Sequence, residues 1–339
     1  LWKENNLGTM RTLYASKNKD LNFFTKGIEK SVKFKIFGPE WFNSYNTAAP
    51  YGQNDGALWQ GKGYNTSFTT GVRLEAYGFE ATFKPQISWT ENKVFDYIAP
   101  NSSYNEKGQA ATYGYYGVPY IDAPQRFGNS SFATYNWGDT EIRYTWHTLT
   151  IGFGTQSIWL GPAQLNPIIH SNNAAPYPKV DFGFRKTQVN MPYFGWDLGK
   201  FEFRGWYGKL TKSDYFDNND SNNNNLIAGL SAAWALPGVF EGITIGINRT
   251  MLSKWNNINK YSLFRIYSTD SNGESDESDQ RFSLTFDYLL PTSNLDIYFE
   301  VARNDFSPTF DHILRYPFHT MAWTLGGKKL FSITDSITL

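Results

Sequence analysis

Few residues in this chain are spaced for chemistry, and most of the apparent motifs fail on inspection. Gly56-Ala-Leu-Trp-Gln-Gly61-Lys62-Gly63 approaches the phosphate-cradling pattern G-x-x-x-x-G-K-[ST]. It lacks the final hydroxyl that would meet magnesium. It also leads into Tyr64-Asn-Thr-Ser-Phe68, a strand-like run with no helix N-terminus for a phosphate. His147, His170, His312 and His319 have no H-E-x-x-H spacing, and the chain has no cysteine. No metal site is therefore expected, and no cofactor. The acidic tract Asp270, Asn272, Glu274, Asp276, Glu277 and Asp279 lacks calcium-loop spacing and reads as a solvated loop. No G-x-S-x-G elbow is present, so no catalytic residue is assigned.

Three other segments carry a different chemistry. They are 51–65 (Tyr-Gly-Gln-Asn-Asp-Gly-Ala-Leu-Trp-Gln-Gly-Lys-Gly-Tyr-Asn), 121–128 (Ile-Asp-Ala-Pro-Gln-Arg-Phe-Gly), and 159–178, which contains Gly161, Pro162, Ser171, Asn172, Asn173, Ala174, Pro176 and Pro178. Gly, Pro and Asn at this density specify turns and fixed backbone rather than mobility. Rings with amide and carboxylate groups on rigid loops suit a sugar: the rings cover C–H faces, and the polar groups satisfy hydroxyls. Asp55, Trp59, Arg126, Asn172 and Asn173 are the candidate polysaccharide-binding residues. The competing reading is that these loops fold inward and stiffen the mouth of the structure that carries them.

The elements that must position these segments follow from composition. The 12 Trp, 22 Tyr and 27 Phe make 18% of 339 residues, yet mean hydropathy is −0.49. So many amphipathic rings suit a membrane–water interface. A helical bundle is excluded, because it needs about 18 consecutive apolar residues per span. The longest apolar stretch, 226–240, is interrupted by Gly229, Ser231, Pro237 and Gly238. The 31 basic and 31 acidic residues cancel, which removes the electrostatic footprint of a nucleic-acid binder.

Period-two alternation is found instead. Phe79, Ala81, Phe83, Ile87 and Trp89 alternate with Glu80, Thr82, Lys84 and Ser88, and Phe282, Leu284, Phe286 and Tyr288 with Arg281, Ser283, Thr285 and Asp287. Similar runs lie at 71–77 and 141–146, and near 149–155, 180–187, 201–209, 243–249, 295–301 and 319–326. This predicts an all-β transmembrane antiparallel barrel of the bacterial outer membrane, one domain over 1–339, surrounded by lipid and lipopolysaccharide.

The connections alternate in length. Short periplasmic turns are expected near 77–79, 147–148, 191–199, 236–242, 290–294 and 326–330. Long outer loops are expected near 38–63, 90–132, 156–179, 212–224, 252–279 and 304–318. The four prolines of 156–179 predict an ordered loop there. Inward positions carry both signs: Lys33, Lys35, Arg73, Lys84, Arg143, Arg185, Arg204 and Arg281 against Glu75, Glu80, Glu141, Asp181, Glu202, Asp287, Asp296 and Glu300. Such a lining braces the interior better than it filters ions of one sign.

Residues from Leu1 show no charged region followed by an apolar one, so a signal peptide is expected to be already absent. With strands at 1–14, 21–37 and 331–339 the chain supplies about fourteen. Their directions leave both termini outside, which predicts at least one further strand at each end, sixteen to eighteen in the complete protein, and that these residues are a fragment of it.

Gly161-Pro162 followed by Ser171-Asn172-Asn173-Ala174 and Pro176-x-Pro178 resembles the W-G-P-G…S-N-N-A-P-x-[FY]-P signature of the Wzi-type capsule-assembly proteins. Segments 54–63 and 122–128 resemble two further parts of that family, and the likeness runs over roughly 40–335. Leu160 and Ala163 replace the expected Trp and Gly, and Ala175 is an extra residue. The resemblance implies an eighteen-stranded, partly plugged outer-membrane barrel that tethers capsular polysaccharide, lectin-like and without catalysis. A porin or sugar-uptake channel is the alternative left open by the residues alone.

Overall fold

The computed structural model describes residues 21–22, 32–96, 126–211, 224–255, 258, 263–264, 266, 279–304, 314–334 and 337–338. The expected strand at 1–14 and most of loops 90–132, 212–224, 252–279 and 304–318 lie outside these residues.

The regular structure of the described chain is almost all strand: β1 (Leu21–Asn22), β2 (Lys33–Asn46), β3 (Gly63–Ala76), β4 (Phe79–Phe83), β5 (Gln86–Thr90), β6 (Phe132–Asn136), β7 (Glu141–Trp146), β8 (Leu149–Gly154), β9 (Lys179–Asn190), β10 (Asp197–Thr211), β11 (Asn224–Ala235), β12 (Ile243–Lys254), β13 (Asp279–Leu290), β14 (Leu295–Asn304), β15 (Met321–Lys329), β16 (Ser332–Thr334) and β17 (Ile337–Thr338). Fourteen of these, β2 to β15, form one antiparallel sheet in a meander. β4 and β5 are two halves of one path, as are β6 and β7: β3 pairs with both β4 and β5, and these pair with β7 and β6. The interruption lies at Pro85, which cannot donate to a ladder, opposite the positive-φ Gly138. A Cβ on Gly138 would overlap the Lys84 carbonyl.

The sheet is inside-out. Along β4 the exposed Phe79, Ala81 and Phe83 alternate with the buried Glu80 and Thr82, and β13 repeats the pattern with exposed Phe282, Leu284 and Phe286 against buried Ser283, Thr285 and Asp287. The outward face carries stacked rings such as Phe184–Phe203 and Phe201–Trp234, at 5.8 and 5.7 Å. Apolar side chains outside and charges inside are the arrangement that lipid requires.

Ion pairs stitch the inner face across strands. Arg73 pairs with Glu75 at 2.7 Å and with Glu80, which also receives Arg185. Arg143 meets Glu141 at 3.1 Å and Asp181 at 2.5 Å, and Asp181 also holds Arg204 at 2.6 Å. The bracing role expected of these charges fits this geometry on β3 to β10. On β11 to β13 the inner face also carries an uncharged chain: Ser231 donates to Asn248 at 2.8 Å, and Asn248 donates to Ser283 at 3.0 Å. Asp296 stands opposite Lys328 in register.

Several expected boundaries are corrected. Residues 38–46 are strand, not loop, because a register shift between Phe37 and Glu40 absorbs Gly38-Pro39 and lets β2 continue. The outer loop that follows is therefore 47–62. β11 begins at Asn224 and β12 runs on to Lys254, its partner being Asn225, so the neighbouring loops are shorter than expected. Gly326 and Gly327 read as a turn but belong to β15: a Cβ at Gly326 would overlap the Tyr298 ring, which fills the place of a side chain.

Of the expected strand at 21–37, Leu21–Asn22 and Lys33–Phe37 are described, and they pair with different strands, β9 and β3. Leu21–Asn22 pairs parallel with Thr187–Gln188, an edge left open where β8 stops opposite Phe184. At the other end, β16 pairs with β17 rather than adding to β15. The turn at Tyr77-Gly78 has φ of +53° and +84°, which suits the right-handed twist of a two-residue hairpin.

Candidate functional site

The segment between β8 and β9, residues 155–178, turns inward across the polar face. Its apolar residues Ile158, Leu160 and Ile169 are buried with Trp206 of β10 and Ala302 of β14. Trp206 fits because β11 offers Gly229, where a Cβ would overlap the indole. Ile168 donates its N–H to Glu300 of β14 at 3.4 Å, and Asn166 donates to Thr324 of β15 at 3.0 Å. Gly161 has φ +80°, and a Cβ there would lie 2.9 Å from the Glu300 carboxylate. One loop thus reaches β10, β14 and β15, and the sheet curls around it.

Within the loop, Pro162 is buried and the Trp159 indole donates to the Ala163 carbonyl at 2.8 Å. Ala163, where the resemblance implies Gly, has no positive φ, so the backbone there does not require a glycine. His170 is held between the Ile158 carbonyl and the Tyr177 hydroxyl, each at 2.9 Å. Burial pushes its pKa down to about 4, so the ring is neutral. The Pro178 carbonyl accepts from Lys209 of β10 at 3.0 Å.

The loop at 47–62 locks onto it from the opposite wall. Every polar group of Asn54 is engaged. Its N–H donates to Asn173 Oδ1 at 2.9 Å and its Nδ2 to the Leu165 carbonyl at 2.7 Å. Its carbonyl accepts from Asn172 Nδ2 at 3.0 Å and its Oδ1 from Ser171 Oγ at 2.9 Å. Gly56 N–H donates to the Asn172 carbonyl at 2.8 Å, and Gln53 donates to the Leu165 carbonyl. Gln86 of β5 fixes the base of this loop: it donates to the Asp55 carbonyl and accepts from Ala57 N–H, both at 2.9 Å.

The five candidate residues divide into two groups. Asp55, Asn172 and Asn173 are brought together at the clasp. The Asp55 carboxylate accepts from Gln60, and burial raises its pKa. Asn172 Oδ1 is buried with no hydrogen-bond partner among the described residues. Trp59 and Arg126 lie apart from the clasp: Trp59 packs edge-on against Phe127 at 4.4 Å, while Arg126 donates to Asn129 at 2.7 Å and to the Phe95 carbonyl at 3.3 Å. Residues 121–125 of the third segment lie outside the described chain. Of the signature residues, Gly161 and Pro162 shape the buried part, Ser171 joins the clasp, and Ala174 and Pro178 are exposed. Asn54 was not singled out from sequence, although Asn-Asp-Gly is strong turn chemistry and its φ is +55°.

Two cavities flank the clasp. The larger, about 430 Å³, is bounded by Asn166, Ile168, His170, Asn173, Tyr177 and Arg281 among others. The smaller, about 260 Å³, is bounded by Glu40, Asp55, Lys84, Gln86, Asp139 and Asn172 among others. Gln53, Asn54, Ser157 and Pro176 border both, so the two are adjacent.

A family model described as capsule assembly protein Wzi matches residues 43–313, about four-fifths of the chain. No curated protein matches. Among solved structures, a refined porin shares 14% identity over 89% of this chain and 100% of its own, at a TM-score of 0.28. A loop-deletion mutant of OmpT, an outer membrane protein of Vibrio cholerae, shares 9% over 87% and 98%, at 0.24. Likeness at those TM-scores carries no functional argument. The family match covers both interlocked loops and most of the inside-out sheet, and this chain belongs to the Wzi family of capsule assembly proteins, β-barrels of the bacterial outer membrane.

Proposed function

We propose that the outer mouth binds and anchors capsular or other extracellular polysaccharide, without catalysis. The observation that carries this reading is the clasp: two outer loops fixed to each other and to the wall, with adjacent cavities lined by amides, hydroxyls, carboxylates and rings. A preorganised floor of this kind avoids the ordering cost that a flexible loop would incur on binding. Amide and carboxylate groups satisfy sugar hydroxyls in pairs, and Tyr177, Ile168 and Pro176 offer apolar faces for C–H surfaces.

The channel alternative is disfavoured by the inward loop, which crosses from the Asn54 side to Glu300 and Thr324. The test is surface retention of capsule in cells carrying Asn172→Ala/Asn173→Ala in place of the native chain. Capsule is expected in the medium while the barrel assembles normally. Unchanged retention would overturn the assignment of these residues.

A further inference from the structure

The two cavities differ in charge. Around the smaller stand the carboxylates of Glu40, Asp55 and Asp139, with Lys84 as the cation, 3.8 Å from Asp139 and 4.0 Å from Glu40. Asn172 Oδ1 adds a buried acceptor without a partner. With three carboxylates against one cation this lining disfavours anions, so it suits an uncharged, hydroxyl-bearing unit.

The larger cavity is otherwise. Its charged side chain is Arg281, because His170 is neutral. Arg281 sits at the outer end of β13 and, among the described residues, bonds Asp279, at 3.4 Å and through one of its five N–H groups. The remaining donors make no hydrogen bond among the described residues. The rest of the lining combines amides of Gln53, Asn166 and Asn173 with an apolar floor of Ile168, Ile169 and Ile227. An arginine fork beside amides fits a carboxylate in a planar, paired geometry. At about 430 Å³ the volume also falls within the roughly 300–1,000 Å³ range of small-molecule clefts.

We propose that the mouth recognises an acidic polysaccharide through two adjacent units, a neutral hydroxyl-rich unit in the smaller cavity and a carboxylate-bearing unit in the larger, against Arg281. This rests on the polysaccharide reading above and adds the charge class of the ligand and the residue that selects it.

The experiment uses capsular polysaccharide from the producing strain, native and after chemical reduction of its carboxylates to alcohols, with purified protein in detergent. Native polymer is expected to bind the wild type about tenfold more tightly than reduced polymer, the scale of a charged hydrogen bond. Arg281→Gln should bind the two polymers alike, and Arg281→Lys should recover part of the preference. Equal binding of both polymers by the wild type, a bound polymer free of carboxylate, or an unchanged preference in Arg281→Gln each overturns the acidic assignment and leaves the polysaccharide reading standing. Failure of both polymers to bind overturns the polysaccharide reading itself.

Discussion

Asn54 shows how much can depend on a single side chain. It makes four hydrogen bonds to residues 165–173 while holding a left-handed backbone. Intramolecular hydrogen bonds contribute about 0.5–1.5 kcal/mol each, and two of the four use the side chain. Asn54→Gly keeps the backbone geometry free of strain and removes only the side-chain bonds. It is expected to loosen the clasp by roughly 1–3 kcal/mol, measured as faster limited proteolysis within 163–176, while Asn54→Ala adds backbone strain and opens the loop further. An unchanged cleavage rate in both would show that the clasp does not hold the loop. His170 supplies a pH dependence. Its pKa falls from 6.5 to about 4 on folding, so the unfolded loop binds the proton more readily. The stabilisation is complete above about 6.5 and is lost as pH falls toward 4. Proteolysis of the loop is expected to rise through that window in the wild type and to stay flat in His170→Gln.

At the scale of elements, the strands were legible because lipid outside and charge inside force a period of two, as in 79–83 and 281–288. Their interruptions were not. Pro85 splits one path while keeping its parity, so the alternation reads straight through it. Gly38-Pro39 and Gly326-Gly327 read as breakers, yet one is absorbed by a register shift and the other makes room for Tyr298. The candidate site was half legible. Turn chemistry marked both interlocking loops, but only the tertiary contact shows that Asn172 and Asn173 clasp Asn54 and that Trp59 and Arg126 stand elsewhere. The ion-pair ladder gives an element-level expectation. Asp181 joins β9 to β7 and β10 through Arg143 and Arg204. Asp181→Ala removes a buried carboxylate shared by Arg143 and Arg204 and is expected to cost about 3–5 kcal/mol, read as a lower melting temperature of the sheet by circular dichroism. A melting temperature equal to the wild type would contradict a bracing role.

For the whole molecule, the 155–178 loop turns across the polar face of the sheet and reaches from the Asn54 loop to β14 and β15. In planar bilayers the wild type is expected to pass little current, and deletion of 163–176 to raise it, because the deletion removes the contacts to Asn54 and Thr324. Large steady currents from the wild type would favour a channel. The most direct measurement of polysaccharide anchoring is equilibrium binding of the producing strain's capsular polysaccharide to the purified barrel, wild type against Asn172→Ala/Asn173→Ala. Saturable binding by the wild type that weakens at least about tenfold in the double variant, roughly 1.4 kcal/mol, is the expected result. Equal binding by the two proteins, or none by either, would contradict it.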